Sequence, residues 1–240
     1  MRSDGADAGW SLVVPLKPLV RAKSRLSGAV GERLRPQLAL AFALDTVSAA
    51  LACEDVVDVA VVTDDPPAGE RLTALGARVV ADVPGRGLNA ALAHGAAQVR
   101  ERRAGAAVAA LNADLPALRP AELRRVLAAA AAFPRAFLAD AAEIGTTLLS
   151  AAPGVELAPA FGGPSRARHR ESGAHEIVLP DTESVRRDVD TGADLLAALE
   201  LGVGPHTARW VPRIRDRAGL EAGLKTGLET GLEGVRTSGA

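Results

Sequence analysis

The 240-residue sequence predicts an open α/β sheet, mostly parallel, with helices on both faces. Three observations predict it. Short Val- and Ala-rich runs alternate at least four times with stretches of helical periodicity. Turn residues rich in Pro and Gly separate several of them. Finally, 48% hydrophobic and 24% charged residues suit a globular chain long enough to bury a sizeable core.

Taken in order, residues 1–9 are small and polar and read as disordered. Trp10 to Leu16 is a short buried strand, followed by a basic loop. Residues 32–52 read as a helix, because Leu34, Leu38, Ala41, Leu44, Val47 and Leu51 recur every three or four positions. A second strand at 56–63 ends in Asp64-Asp65-Pro66-Pro67, and a short helix around Glu70 to Leu75 leads to a third strand, Ala77 to Val83. After the turn Pro84-Gly85-Arg86-Gly87, residues 88–103 are helical and 106–111 form a fourth strand. Pro120 starts a helix where its missing N–H costs nothing, and 135–140 is another strand. Between 145 and 181, two short apolar runs (Thr146 to Ser150, Glu176 to Leu179) suggest a small β insertion resembling a hairpin. Asp194 to Leu201 is helical. Residues 10–212 thus read as one domain, and 213–240 as a low-complexity tail with Gly-Leu every four residues from Gly219 to Leu232. Each of those glycines costs a helix about 1 kcal/mol.

Composition excludes several functions. Lys plus Arg (28) balance Asp plus Glu (29), so no global field attracts nucleic acid. Aromatics are 2% with no Tyr, which removes base-stacking platforms. One cysteine, Cys53, precludes an intramolecular disulfide or a multi-cysteine zinc site and reads as a small core residue. The N-terminus lacks a signal pattern, and apolar runs such as 126–133 are too short to span a bilayer. The expectation is a cytoplasmic protein that binds neither membrane nor nucleic acid, with oligomeric state open and a homodimer among the options.

Open α/β sheets place ligands beyond the carboxyl ends of their strands. There, after strand one, lie Lys17, Arg21, Lys23 and Arg25, four cations within nine positions. They suit a triphosphate, or are simply a solvated basic loop. No GxxxxGK[ST] or GxGxxG is present, which argues against a P-loop or the usual dinucleotide site. Asn112-Ala113-Asp114 ends strand four, where one carboxylate can hold Mg²⁺ or merely make a turn. Asp188 and Asp190 share one face of an extended segment, and one of them could complete a metal site with Asp114. Thr191 or Asp194 could equally cap the next helix. Gly145-Thr146-Thr147 and Gly162-Gly163-Pro164-Ser165 offer backbone N–H groups and hydroxyls to a second anion, or a hairpin turn. His169 reads as a structural or electrostatic residue, not a metal ligand. Cations for phosphates plus two separated carboxylates are what metal-assisted phosphoryl or nucleotidyl transfer needs.

The motifs PLK…RAKSRL (15–26), GLNAAL (87–92), NADLPAL (112–118), GTTLL (145–149), FGGPSRARH (161–169) and DVDTGADL (188–195) together resemble the guanylyltransferases of coenzyme F-420 biosynthesis. The resemblance covers 10–212. It implies a GT-A-like nucleotidyltransferase fold with a Rossmann-like sheet, and transfer of GMP from GTP to the phosphate of a three-carbon acid. The Ala- and Arg-rich composition resembles that of a high-GC actinobacterium, which within this family implies the phosphoenolpyruvate type over the archaeal 2-phospho-L-lactate type, with 2-phospho-L-lactate or 3-phosphoglycerate as alternative acceptors. The resemblance further implies Thr147, Gly162 and Ser165 at the acceptor, and Asp114 and Asp190 on Mg²⁺. Lys17 and Lys23 would face the GTP phosphates, with Gly87 and Asn89 near base and ribose. Two departures stand out: Arg166 and Arg168 make the segment after Ser165 unusually basic, and Thr191-Gly192 replaces a frequent Thr-Pro. Rival readings are a molybdenum-cofactor guanylyltransferase or a sugar-phosphate cytidylyltransferase, whose glycine-rich opening loop is missing here, and a non-catalytic nucleotide-sensing domain. An acceptor phosphate, with a second pKa of about 6, is already a nucleophile and needs no general base.

Overall fold

The valine and alanine runs become the centre of a seven-stranded sheet in the computed structural model, which describes residues 9–21, 23, 26–83 and 85–214. In chain order the strands are β1 (Trp10–Pro15), β2 (Val56–Val62), β3 (Arg78–Val80), β4 (Ala107–Leu111), β5 (Arg135–Ala139), β6 (Thr146–Ala151) and β7 (His175–Glu176). The helices are α1 (Ser27–Val30), α2 (Arg35–Leu51), α3 (Pro66–Ala74), α4 (Leu88–Arg102), α5 (Pro120–Ala130), α6 (Ser165–Glu171), α7 (Glu183–Arg186), α8 (Gly192–Leu201) and α9 (Pro205–Ala208). The expected N-terminal disorder and the Gly-Leu tail fall almost wholly outside the described residues.

Spatial order is β3-β2-β1-β4-β6-β5-β7. The pairs β1–β2, β1–β4, β2–β3 and β5–β7 are parallel, whereas β6 runs antiparallel to both β4 and β5. The chain builds outward from β1 to β3, then restarts at β4 on the other side of β1. That reversal opens a crevice at the carboxyl ends of β1 and β4, the place where such sheets take ligands. The two apolar runs of 145–181 do not pair with each other. Instead β6 enters the main sheet and β7 extends its edge beside β5. Periodicity marks a strand but not its partner.

Strand alternation sorts side chains into two cores. Leu12 and Val14 of β1 join Leu44 and Val47 of α2, Leu72 of α3 and Leu123 and Leu127 of α5 on one face. Val13, between them, joins Leu92, Ala96 and Val99 of α4 on the other. A third cluster (Leu26, Leu38, Phe42, Val189, Leu195) fastens the 188–195 segment to α2. The close approach of α4 depends on Gly95, where an added Cβ would meet Val13 Cγ1 at 2.5 Å and Val62 Cγ2 at 2.7 Å. Gly95→Leu should therefore destabilise by roughly 1–3 kcal/mol or more through overpacking. A thermal melt unchanged from wild type would show that α4 does not need this contact. Among the described residues no helix is long and apolar enough to cross a membrane.

Candidate active site

A cleft of about 550 Å³ opens at the carboxyl ends of β1 and β4. Its walls include Lys17 and Lys23 from the loop after β1, Asp114 from the loop after β4, Asp140 from the loop after β5, and Asp188 and Asp190. Gly145, Thr146, Phe161, Gly162, Gly163 and Ser165 close another side.

Local sequence explains why these parts meet. Asp65 caps α3 by accepting from Ala68 N (3.1 Å), and its other oxygen accepts from Leu19 N (2.8 Å), tying the basic loop to the end of β2. Leu115 N donates to Thr46 Oγ1 of α2 (3.0 Å), fixing the turn that carries Asp114. Val189, fully buried between Asp188 and Asp190, donates its N–H to Asp114 O (3.0 Å). That bond brings aspartates from opposite halves of the chain together. The next turn is a capping box, with Thr191 and Asp194 each accepting from the other's backbone N–H, which starts α8.

Lys23 lies at the centre. Its ammonium pairs with Asp114 Oδ2 and with Asp190 Oδ1, the latter at 2.6 Å. Burial alone would discharge it, but the charges and hydrogen bonds of Asp114 and Asp190 outweigh burial and hold its pKa above the ordinary lysine value. Its backbone sits at φ 58°, a left-handed conformation costing about 1 kcal/mol or more, which the two carboxylates help to hold. Asp114 Oδ1 is buried and has no hydrogen-bond partner among the described residues. Burial first, then the carboxylates of Asp114, Asp190 and Asp140, push the Asp188 carboxyl up to about 8. The carboxylates of Asp114, Asp140 and Asp190, with a largely protonated Asp188, thus face two ammonium groups in this cleft. A phosphate would be repelled from such a surface unless further positive charge entered with it.

The opposite wall is polar and close to neutral. Asp140 accepts from Ile144 N (3.0 Å) and Gly145 N (2.8 Å), and a Cβ at Gly145 would meet Asp140 Oδ2 at 2.4 Å. Asn89, in the first turn of α4, donates to Phe161 O (3.1 Å) and accepts from Phe161 N (2.8 Å), so its amide anchors the turn before Gly162. Ser165 is buried at the start of α6.

Of the residues expected from sequence, Lys17, Lys23, Asp114, Asp190, Gly162 and Ser165 line the cleft. Arg25 and the side chain of Arg21 lie outside the described residues. Gly87 caps α4 at φ 95° and, like Asn89, is not among the lining residues. Thr147 is fully buried and its hydroxyl has no partner among the described residues, whereas its neighbour Thr146 lines the cleft. A one-residue step along a strand reverses the face. Thr146 is legible in the sequence as part of the Gly145-Thr146-Thr147 stretch, whereas Asp140, which also lines the cleft, is not singled out there. The signal for Asp140 was its place at a strand's carboxyl end, equal to that of Asp114.

His169 of α6 is fully buried, with Nδ1 2.9 Å from Thr146 Oγ1 and Nε2 2.9 Å from Ala160 N. Burial, then the cations Arg135 and Arg168, lower its pKa to about 4. Because the folded value lies below the unfolded 6.5, the neutral ring's contribution is complete above pH ~6.5 and is lost as pH falls toward 4. It amounts to on the order of 3 kcal/mol. Melting temperatures of wild type and His169→Asn, followed from pH 7 to 4, should converge as the pH drops, and parallel curves would refute this.

Comparison with known proteins adds the identity. The family model described as "Guanylyl transferase CofC like" matches residues 10–225. The chain belongs to this family. A phosphoenolpyruvate guanylyltransferase of Streptomyces coelicolor is 71% identical over 205 residues, which span 85% of this chain and 97% of that protein. One of Thermomonospora curvata is 58% identical over 212 residues, 88% of this chain and 92% of the other. Among solved structures, a nucleotidyl transferase from Methanothermobacter thermautotroptrophicus is similar in fold, with a TM-score of 0.57 at 23% identity over 79% of this chain and 95% of the other. 4-Diphosphocytidyl-2C-methyl-D-erythritol synthase shares the fold at TM-score 0.53 and 14% identity, over 81% of this chain and 99% of the other. The fold is the GT-A-like nucleotidyltransferase architecture expected for the CofC-like family.

Proposed function

We propose that this CofC-like chain transfers GMP from GTP to the phosphate of phosphoenolpyruvate, giving enolpyruvoyl-diphospho-guanosine and pyrophosphate for coenzyme F-420 biosynthesis. In this reading an oxygen of the acceptor phosphate attacks the α-phosphorus of GTP and pyrophosphate leaves. Relatives named for this activity support it, and one geometric observation carries it: Asp114 and Asp190 converge on a single cationic centre beside a glycine- and hydroxyl-lined wall.

The position fits Mg²⁺. Its donors are hard carboxylate oxygens, one of them, Asp114 Oδ1, buried without a partner among the described residues. Mg²⁺ needs only one or two protein carboxylates, its remaining positions being filled by water and substrate phosphate. Asp114 and Asp190 would hold it, and when bound it supplies charge neutralisation between two polyanions. Lys23, displaced from its carboxylates, and Lys17 would then turn to the triphosphate, joined by Arg21 and Arg25. Gly87, at the N-terminal end of α4, remains on the nucleotide side. Asn89 acts through Phe161. Gly162, Ser165 and the Thr146-Thr147 pair would take the acceptor, with Thr146 supplying the hydroxyl. The rest of catalysis is alignment of the two reactants.

GTP offered with phosphoenolpyruvate, 2-phospho-L-lactate and 3-phosphoglycerate together should yield chiefly the phosphoenolpyruvate adduct by mass spectrometry. No guanylylated product from any of the three would overturn the reading. Ser165→Ala should raise the KM for the acceptor several-fold more than that for GTP, because a lost hydrogen bond costs about 1 kcal/mol at the site that made it. Equal effects on both would move Ser165 off the acceptor side.

A further inference from the structure

The imidazole of His169 makes two hydrogen bonds, and only one tautomer permits both. A backbone N–H can only donate, so Nε2, 2.9 Å from Ala160 N, must be an acceptor. The proton of the neutral ring therefore resides on Nδ1, which donates to Thr146 Oγ1 at 2.9 Å. The ring is walled by Phe137 and Phe161, with centroids 5.7 and 5.1 Å away, and faces Arg135 of β5 and Arg168 of α6. These apolar walls and cations keep it neutral.

The consequence falls on Thr146. Its oxygen accepts from the ring, so its own hydrogen is not spent on His169. No other partner for this hydroxyl is found among the described residues, and Thr146 lines the cleft. We propose that His169 is a positioning residue that fixes the Thr146 hydroxyl as a hydrogen-bond donor to an anionic oxygen of the acceptor, while its other nitrogen suspends the turn leading to Gly162 and Gly163. The opposite tautomer would make Thr146 donate to the ring and present only lone pairs to that oxygen, turning attraction into repulsion. The proposal rests on the cleft being the acceptor site.

The two nitrogens can be tested separately. In His169→Asn the amide reaches the Nδ1 position and can still donate to Thr146. In His169→Gln it reaches the Nε2 position and can accept from Ala160 but leaves Thr146 unoriented. Thr146→Val and His169→Gln should each raise the phosphoenolpyruvate KM by ~10-fold or more, with the GTP KM unchanged. His169→Asn should stay within ~3-fold of wild type. The double variant Thr146→Val/His169→Gln should be no worse than Thr146→Val alone. Additive losses, or Asn and Gln variants that behave alike, would overturn the proposal. Should the variants fail to fold, nitrogen-15 NMR of the wild-type protein at pH 7 decides the same point: the Nδ1–H tautomer supports it, and an Nε2–H tautomer or an imidazolium overturns it. A wild-type protein inactive with GTP and phosphoenolpyruvate would sink the assigned reaction, whereas an active wild type with additive variants sinks only the role of His169.

Discussion

Asp114→Asn is expected to lower kcat with GTP and phosphoenolpyruvate by roughly 10²–10³-fold or more, through lost electrostatic stabilisation at the reacting centre. Asp114 Oδ1 is buried and unpartnered among the described residues, and Oδ2 contacts the Lys23 ammonium. Asn keeps the shape of the side chain and the backbone bond from Val189 to Asp114 O, so the turn should persist. The melting temperature is accordingly expected to stay within a few degrees of wild type. A near-wild-type rate in a folded variant would remove Asp114 from the chemistry.

Lys23→Met is the second large effect. With its partners present, Lys23 holds two carboxylates together, and without it Asp114 and Asp190 repel each other across the cleft. The stability loss is moderated because the Asp190 side chain is 55% exposed, so about 1–2 kcal/mol is expected, below the 3–5 kcal/mol of a fully buried pair. Turnover should fall at least ~100-fold, because a cation is removed from the transferring phosphates. Added Mg²⁺ should raise the melting temperature of Lys23→Met more than that of wild type, since no ammonium competes for the carboxylates. Equal Mg²⁺ responses would mean that the ion binds elsewhere.

The first four strands were legible because each is a compact Val/Ala run closed by turn residues, and Asp114 was legible because it ends β4. The 188–190 segment could be read as extended with both carboxylates on one face, since Val189 is the single apolar residue between them. That this face meets Asp114 was not readable, because the bond from Val189 N to Asp114 O spans the two halves of the chain. β6 was taken for half of a hairpin with β7, because nothing in Thr146 to Ser150 records that it pairs with β4 on one side and β5 on the other. The same pairing decides Thr146 over Thr147: the register shifts between Leu138 and Ala139, opposite the start of β6, and the hydrophobic pattern is too short to show which threonine faces out. The partners of His169 are not legible in the sequence, because they come from β6 and from the turn at Ala160, 23 and 9 residues away.

In the proposed reaction Asp114 and Asp190 share one divalent ion in the presence of nucleotide. Calorimetric titration of Mg²⁺ into the protein saturated with a non-hydrolysable GTP analogue tests it without catalysis. Mg²⁺ should bind wild type and bind at least ~10-fold more weakly to both Asp114→Asn and Asp190→Asn, a loss of about 1.4 kcal/mol or more. Wild-type affinity in both folded variants would contradict it.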